Sequence, residues 1–137
     1  MTDRPAGYER VQLLDDAIDD LRIVASRSPG VLREVLRQLK MLDQGVLEPQ
    51  PLHDFAKTGD VTDCGKIVVA LPDEPEHRIV VRTVDGVLLV YEVVAVEDRT
   101  QDLPYLLAGL RLERIQDPIR KSDALRRVHR VRRLLGE

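Results

Sequence analysis

The sequence predicts an α+β domain in which an N-terminal antiparallel helical hairpin packs on a small antiparallel sheet, with further helices at the C-terminus. Two stretches with apolar residues three and four positions apart come first. Three runs rich in β-branched residues follow them, and two more helical stretches end the chain. A chain of 137 residues with 43% hydrophobic content is long enough for one such domain and its core.

The first helix is predicted from Tyr8 to about Ser26, because apolar residues recur there at helical spacing. Its apolar stripe consists of Val11, Leu14, Ile18, Leu21 and Ala25. The opposite face is predicted to be solvated and carries Asp15, Asp16, Asp19, Asp20 and Arg22. An amphipathic helix of this kind buries only its apolar stripe against a neighbouring layer.

The second helix begins at a strong local signal, a serine suited to the N-cap followed by a proline suited to the first helical position. These residues are Ser28 and Pro29, and Gly45 suits the left-handed residue that ends the helix. The apolar stripe is Val31 or Leu32, followed by Val35, Leu36, Leu39 and Leu42. The short link between the two helices predicts an antiparallel hairpin.

The three β-branched runs extend over Lys66 to Leu71, Arg78 to Val84 and Val87 to Val96, and each has the length of a strand. Asp85-Gly86 joins the last two runs, and this dipeptide tolerates the positive φ angles of a type I′ hairpin. A proline-broken acidic loop joins the first two. The third run is almost continuously apolar, which is typical of a central strand covered on both faces.

Side-chain alternation along the strands predicts a cationic face on the sheet. Counting every second residue places Arg78 and Arg82 on one face of the second strand. On the first strand, the same counting places Lys66 on one face together with Val68 and Ala70. These three cations are candidates for contact with a phosphate.

The C-terminal part predicts two helices, one from Pro104 to Ile115 and one capped by Ser122 and continuing to Leu135. The polar face of the last helix carries Arg126, Arg127, Arg130 and Arg133. These arginines, with Arg82, are candidates for RNA binding. Two other interpretations of the helix stay open, a surface for an acidic partner and a solvated helix face.

Charge is distributed unevenly along the chain. Residues 61–110 carry 4 Lys/Arg against 9 Asp/Glu, a net of −5, whereas residues 111–137 carry 9 against 4, a net of +5. The acidic middle segment argues against autonomous binding to nucleic acid, for which a positive field is needed. A protein that meets its RNA inside the ribosome needs less charge of its own.

Other features of the sequence exclude several classes of site. The single cysteine, Cys64, excludes a disulfide framework. The spacing of His53 and His77 fits no metal site, so we expect no metal and interpret both as ordinary loop and strand residues. The N-terminus lacks the apolar core of a signal peptide and no apolar run has membrane-spanning length, so we expect a cytoplasmic protein without a membrane partner.

The order of these elements resembles the RelE/ParE superfamily of toxins from type II toxin–antitoxin systems. The similarity covers about Leu52 to Leu112 and is carried by Gly59-Asp60, Asp63-Cys64-Gly65-Lys66-Ile67, His77-Arg78-Ile79-Val80, Val94-Ala95-Val96, Arg99 and Tyr105. It implies a toxin domain over residues 1–115, with residues 116–137 as a basic helical extension of the same domain. It also implies a cognate antitoxin as partner.

The RelE branch of ribosome-dependent mRNA interferases is the most similar one. The resemblance implies a catalytic site made of Lys66, Arg78, Arg99 and Tyr105, which cleaves ribosome-bound mRNA without a metal or another cofactor. Lys66 would act as the base or as an electrostatic stabiliser. Arg78 and Arg99 would hold the phosphate, and Tyr105 would stack on a nucleotide or orient it.

The sequence departs from the RelE pattern at two places. Val68 stands where the family has a second lysine, and Glu97, Asp98 and Gln101 stand where it has cations. The alternative is therefore a protein of this fold that does not cleave RNA, either a ParE-like gyrase inhibitor or an inactive toxin homologue. A third hypothesis, a regulatory DNA-binding partner, has no helix-turn-helix pattern to support it.

Overall fold

The computed structural model describes residues 2–3, 8–52, 58–84 and 90–136. The predicted Asp85-Gly86 turn and His53 lie outside these residues. The strands are β1 (Thr2–Asp3), β2 (Val11–Leu14), β3 (Gln50–Pro51), β4 (Cys64–Val69), β5 (His77–Val84) and β6 (Val90–Asp98). The helices are α1 (Asp15–Arg27), α2 (Pro29–Asp43), α3 (Leu103–Arg111) and α4 (Pro118–Leu134), with a short 3₁₀ turn at Thr100–Asp102.

The six strands form one mixed sheet in the order β1-β2-β6-β5-β4-β3. The predicted meander is present, since β4, β5 and β6 pair antiparallel. The prediction of a purely antiparallel sheet was wrong, because β2 pairs parallel to β6. Strand β6 therefore lies inside the sheet, and its side chains alternate between two buried faces.

The N-terminal strand β2 replaces the first part of the predicted first helix. Val11 and Leu13 are buried, while Gln12 and Leu14 are half-buried. A four-residue segment with apolar side chains at Val11, Leu13 and Leu14 fits a strand as well as the start of a helix. The backbone of β6 decides between them, because it offers parallel hydrogen-bonding partners opposite Val11 and Leu13. Helix α1 therefore begins only at Asp15.

Helices α1 and α2 form the predicted hairpin, and they pack on one face of the sheet. The Ser28 hydroxyl accepts a hydrogen bond from the amide of Val31 at 3.2 Å, with Pro29 at the first helical position, as predicted. Gly45 has φ of 75°, which confirms the predicted left-handed ending. The buried set from this hairpin is Ala17, Val24, Val31, Val35, Leu39 and Leu42. Leu36, placed in the predicted stripe, is 41% exposed.

Helices α3 and α4 cover the opposite face of the sheet. Their buried residues pack with Val80, Val94 and Ala95, so β6 is buried on both faces as predicted. Helix α4 begins at Pro118 rather than at Ser122, because the side chain of Asp117 caps it by accepting from the amide of Ile119 at 2.9 Å. The inward residues of α4 are Ala124, Val128 and Val131.

No helix in the described part of the chain combines the length and the apolar character that crossing a membrane requires.

Candidate functional site

Three of the four predicted catalytic residues come together at one end of the sheet. The Nε of Arg78, at the start of β5, donates to the Tyr105 hydroxyl at 3.2 Å. Arg78 also forms an ion pair with Glu76, which lies just before β5. Arg99 follows β6, and its Nε lies 3.5 Å from the same carboxylate oxygen of Glu76. Two guanidinium groups thus share one carboxylate, and the phenol of Tyr105 contacts one of these groups.

The chain path explains why these residues meet. His77 pairs with Asp98, so the residue before β5 and the residue after β6 are neighbours. The backbone N–H of Arg99 donates to the carbonyl of Glu76 at 3.0 Å and joins the two segments. Gln101 and Asp102 then adopt φ of 51° and 59°, which turn the chain sharply into α3. This turn places Tyr105 in the first turns of α3, beside Arg78.

Lys66 lies on the same face of the sheet as Arg78 but not in contact with it. The pairs Lys66↔Val80 and Val68↔Arg78 make Lys66 and Arg78 diagonal neighbours. Such neighbours are separated by roughly 7 to 8 Å. The half-buried Lys66 has no hydrogen-bond or ion-pair partner among the residues that the structure describes. Its ammonium group therefore lies near enough to share a phosphate with Arg78 if that phosphate lies between them.

Arg82 lies on the predicted cationic face, but its charge is compensated. It is opposite Glu92 of β6, and its Nε donates to the Glu92 carboxylate at 2.9 Å. A second contact runs from Nη2 of Arg82 to the same oxygen. Opposite charges directly across two antiparallel strands stabilise the pairing by up to about 1 kcal/mol. Arg82 thus has a structural role in joining β5 to β6.

The arginines of α4 lie apart from the ion pairs around Glu76. Arg126, Arg127 and Arg130 line a cleft of about 530 Å³ beside α3, whereas Arg133 does not. The cleft is also lined by Leu106, Arg120, Asp123 and Ala124. Three of the four arginines predicted on this helix therefore contribute to one concave surface.

Sequence reasoning missed a buried group of charges in which two carboxylates bind three arginines. Asp20 accepts from Arg111 at 2.6 and 2.8 Å and from Arg132 at 2.9 Å. Glu97 accepts from Arg27 at 2.5 Å and from Arg132 at 3.0 Å. Both carboxylate side chains are 1% exposed. The prediction that Asp20 is solvated was therefore wrong. Glu97 is directly opposite Arg78 in the β5–β6 pairing, but its carboxylate binds Arg27 and Arg132 instead of Arg78.

This buried charge cluster covers an open edge of β6. Strand β2 pairs with β6 only as far as Val93. Beyond that point the amide of Val96 donates to Asp20 at 2.9 Å, and the carbonyl of Val94 accepts from Arg111 at 3.0 Å. Backbone groups buried without partners destabilise a fold, so these side chains take the place of a missing strand.

A weak signal of this arrangement is present in the sequence. Ala17, Asp20 and Val24 are separated by three and four residues, so Asp20 lies in a second possible apolar stripe beside the one predicted. The sequence favours the predicted stripe because that stripe contains no acid. Burial of the Asp20 carboxylate is energetically possible only because arginines from other elements form ion pairs with it.

Cys64 and His77 do not have the surroundings of reactive groups. Burial, assisted by the nearby charge of Asp63, raises the pKa of the Cys64 thiol to about 12. His77 is 3% exposed, and its Nδ1 lies 2.8 Å from the carbonyl of Pro75. Within the described ranges, no three His, Cys, Asp or Glu side chains group as a metal site requires.

Comparison of the chain with protein-family models, with curated proteins and with solved structures found no match.

Proposed function

We propose that this chain is a RelE-type toxin of a type II toxin–antitoxin system, which cleaves ribosome-bound mRNA with the cations of its own chain. The observation that carries the proposal is the convergence of Arg78, Arg99 and Tyr105 from three separate segments. Lys66 lies one diagonal step away on the same sheet face. The order of hairpin, meander and C-terminal helices, on which the resemblance rests, is consistent with this assignment.

Such a site has the groups that RNA cleavage requires. A base removes the proton from a 2′-hydroxyl, the oxygen attacks the neighbouring phosphorus, and an acid protonates the departing 5′-oxygen. In the proposal Lys66 is the base or the stabiliser of the developing charge. Arg78 and Arg99 hold the phosphate, since a planar guanidinium binds two oxygens at once, and one of them also acts as the acid that protonates the departing 5′-oxygen. Tyr105 orients the attacked nucleotide.

Glu76 sets a condition on this mechanism. Its carboxylate lies where the two guanidinium groups meet, so it competes with a substrate phosphate for them. Arg99 is 63% exposed and Glu76 is 32% exposed, so both side chains are accessible to a ligand. A phosphate that binds both arginines therefore has to displace Glu76 from at least one of them.

The test maps reporter mRNA by primer extension in a translating cell-free extract, with ribosome-free RNA in parallel. The wild-type protein should produce new 5′ ends within the reading frame only when ribosomes translate. Arg99→Ala should reduce the cleavage rate by about 10² to 10³, which is typical for loss of one group that stabilises transition-state charge. Arg33→Ala, which removes an exposed arginine of α2, is the matched control and should cleave normally.

A second candidate function is a non-catalytic interaction protein of this fold, either a ParE-like gyrase inhibitor or an inactive toxin homologue. Val68 in place of a second lysine and the neutralisation of Arg78 by Glu76 both favour it. Intact mRNA in an extract that still synthesises protein would refute the cleavage proposal. Inhibition of DNA supercoiling by purified gyrase would then support the gyrase alternative.

A further inference from the structure

Three of the four arginines that line the α3–α4 cleft differ from most other described arginines in having no acidic partner. Elsewhere in the described residues, arginines pair with carboxylates at Arg22, Arg27, Arg37, Arg78, Arg82, Arg99, Arg111, Arg114 and Arg132. The side chains of Arg120, Arg127 and Arg130 have no hydrogen bond or ion pair to any residue that the structure describes. Although the chain has more acids than bases, 24 against 21, three uncompensated arginines lie together in this cleft.

The shape of the cleft fits an extended ligand better than a single small ion. Arg120 and Arg130 are ten positions apart on one helix, which corresponds to about 15 Å along the helix axis. Between them, buried Leu106 and Ala124 supply an aliphatic floor. Asp123 is the only acidic side chain among the described lining residues, and it pairs with Arg126. The cleft thus combines a row of cations with an apolar centre.

The apolar groups beside the arginines indicate what kind of polyanion fits. Among the residues that the structure describes, no aromatic side chain lines the cleft, whereas single-stranded nucleic acid is usually bound by stacking of its bases on aromatic rings. The aliphatic Ile119 of α4 is 74% exposed and, at positions four, seven and eleven before Asp123, Arg126 and Arg130, lies on the same face of the helix as these lining residues. A ligand with both carboxylates and aliphatic side chains complements this surface on both counts.

We propose that the cleft between α3 and α4 is the docking site for an acidic amphipathic helix of a partner protein. Carboxylates of that helix bind Arg120, Arg127 and Arg130, and its aliphatic side chains pack on Leu106, Ala124 and the exposed Ile119. Recognition of an amphipathic helix in a groove follows this pattern of anchors three and four positions apart. The proposal uses none of the residues assigned to mRNA cleavage and stands or falls separately from it.

The experiment measures fluorescence anisotropy of a labelled synthetic helical peptide of about four turns. One face of the peptide carries Glu and the adjacent face carries Leu. A peptide with Gln in place of Glu and a labelled single-stranded oligouridylate are measured in parallel. The full-length protein should bind the Glu peptide more tightly than either of the other probes.

Two double variants with the same change of charge provide the main comparison. Arg127→Ala with Arg130→Ala removes two cleft cations and should weaken peptide binding roughly tenfold, since each exposed ion pair contributes a few-fold. Arg33→Ala with Arg133→Ala removes two exposed arginines outside the cleft and should leave binding within about twofold. Circular dichroism checks that both variants are folded.

A third variant tests the apolar part of the proposal. Ile119→Ser should weaken binding of the Glu peptide without changing the affinity for oligouridylate, because the sugar–phosphate backbone makes no use of an aliphatic contact. Tighter binding of oligouridylate, lost in the cleft double variant, would overturn the proposal in favour of nucleic acid. Equal loss in the two double variants, or equal binding of the Gln peptide, would overturn it in favour of unspecific attraction.

Discussion

Replacement of Asp20 by asparagine should destabilise the fold more than any loss of a surface charge. The carboxylate accepts four hydrogen bonds, three from Arg111 and Arg132 and one from the Val96 amide. Asparagine keeps the size of the side chain but removes its charge, which leaves Arg111 with the exposed Asp16 carboxylate at 3.9 Å and Arg132 with Glu97. Removing one partner of a buried ion pair costs about 3 to 5 kcal/mol.

The expected size of the effect can be expressed as a melting temperature. Unfolding entropy of about 2.1 cal/mol/K per residue gives about 290 cal/mol/K for this chain of 137 residues. A loss of 3 to 5 kcal/mol therefore lowers the melting temperature by about 10 to 17 °C. Urea unfolding followed by circular dichroism should show a lower midpoint with an unchanged slope.

The neighbouring Asp19→Asn is the matched control, because Asp19 is 65% exposed and forms only a surface ion pair with Arg22. Its free energy of unfolding should change by no more than about 0.5 kcal/mol. Equal stability of Asp20→Asn and Asp19→Asn would refute the reasoning.

Two further predictions concern ionisable groups. Burial raises the pKa of Asp43, but hydrogen bonds from the amides of Arg10, Val11 and Glu9 lower it more, so the net pKa is below its ordinary value. The stabilising effect of the Asp43 carboxylate is present above about pH 4 and is lost as pH falls through the folded pKa. Asp43→Asn should therefore lower the free energy of unfolding in urea by about 1 kcal/mol at pH 7 and hardly change it at about pH 2. An equal loss of stability at both pH values would contradict this assignment. The pKa of the Cys64 thiol is about 12, so very little thiolate is present at about pH 8 in the folded chain. The thiol should therefore react with Ellman's reagent roughly a thousandfold more slowly in the folded chain than in urea. Similar rates in the two conditions would contradict the burial of Cys64.

The elements that sequence analysis placed correctly are those that depend on near neighbours. The Ser28-Pro29 start of α2, its Gly45 ending and the runs that became β4, β5 and β6 all follow from residues a few positions apart. The Asp117 cap of α4 was missed although the signal is local, because Ser122, the predicted cap, also has a side chain suited to that position. Pro118 directly follows Asp117 and suits the first helical position, and this is the local signal that favours Asp117.

The candidate site was predictable in part. The resemblance indicated Lys66, Arg78, Arg99 and Tyr105, and the structure brings the last three together and leaves Lys66 one diagonal step away. The role of Glu76 was not predictable to the same degree, because several acids lie equally near these arginines in the sequence. The structure places Glu97 in the buried charge cluster instead, and the Asp98 carboxylate accepts from Thr100.

By itself the sequence determined where α2 begins and ends, which runs become the central strands, and that β6 is covered on both faces. These features follow from capping, turns and side-chain alternation, which are properties of adjacent residues. The tertiary structure decided whether Val11–Leu14 is strand or helix, and which charges are neutralised. Asp20 finds its partners 91 and 112 residues further along the chain. A carboxylate can be buried only where such partners arrive, and their arrival depends on how helices and strands pack rather than on the residues beside it.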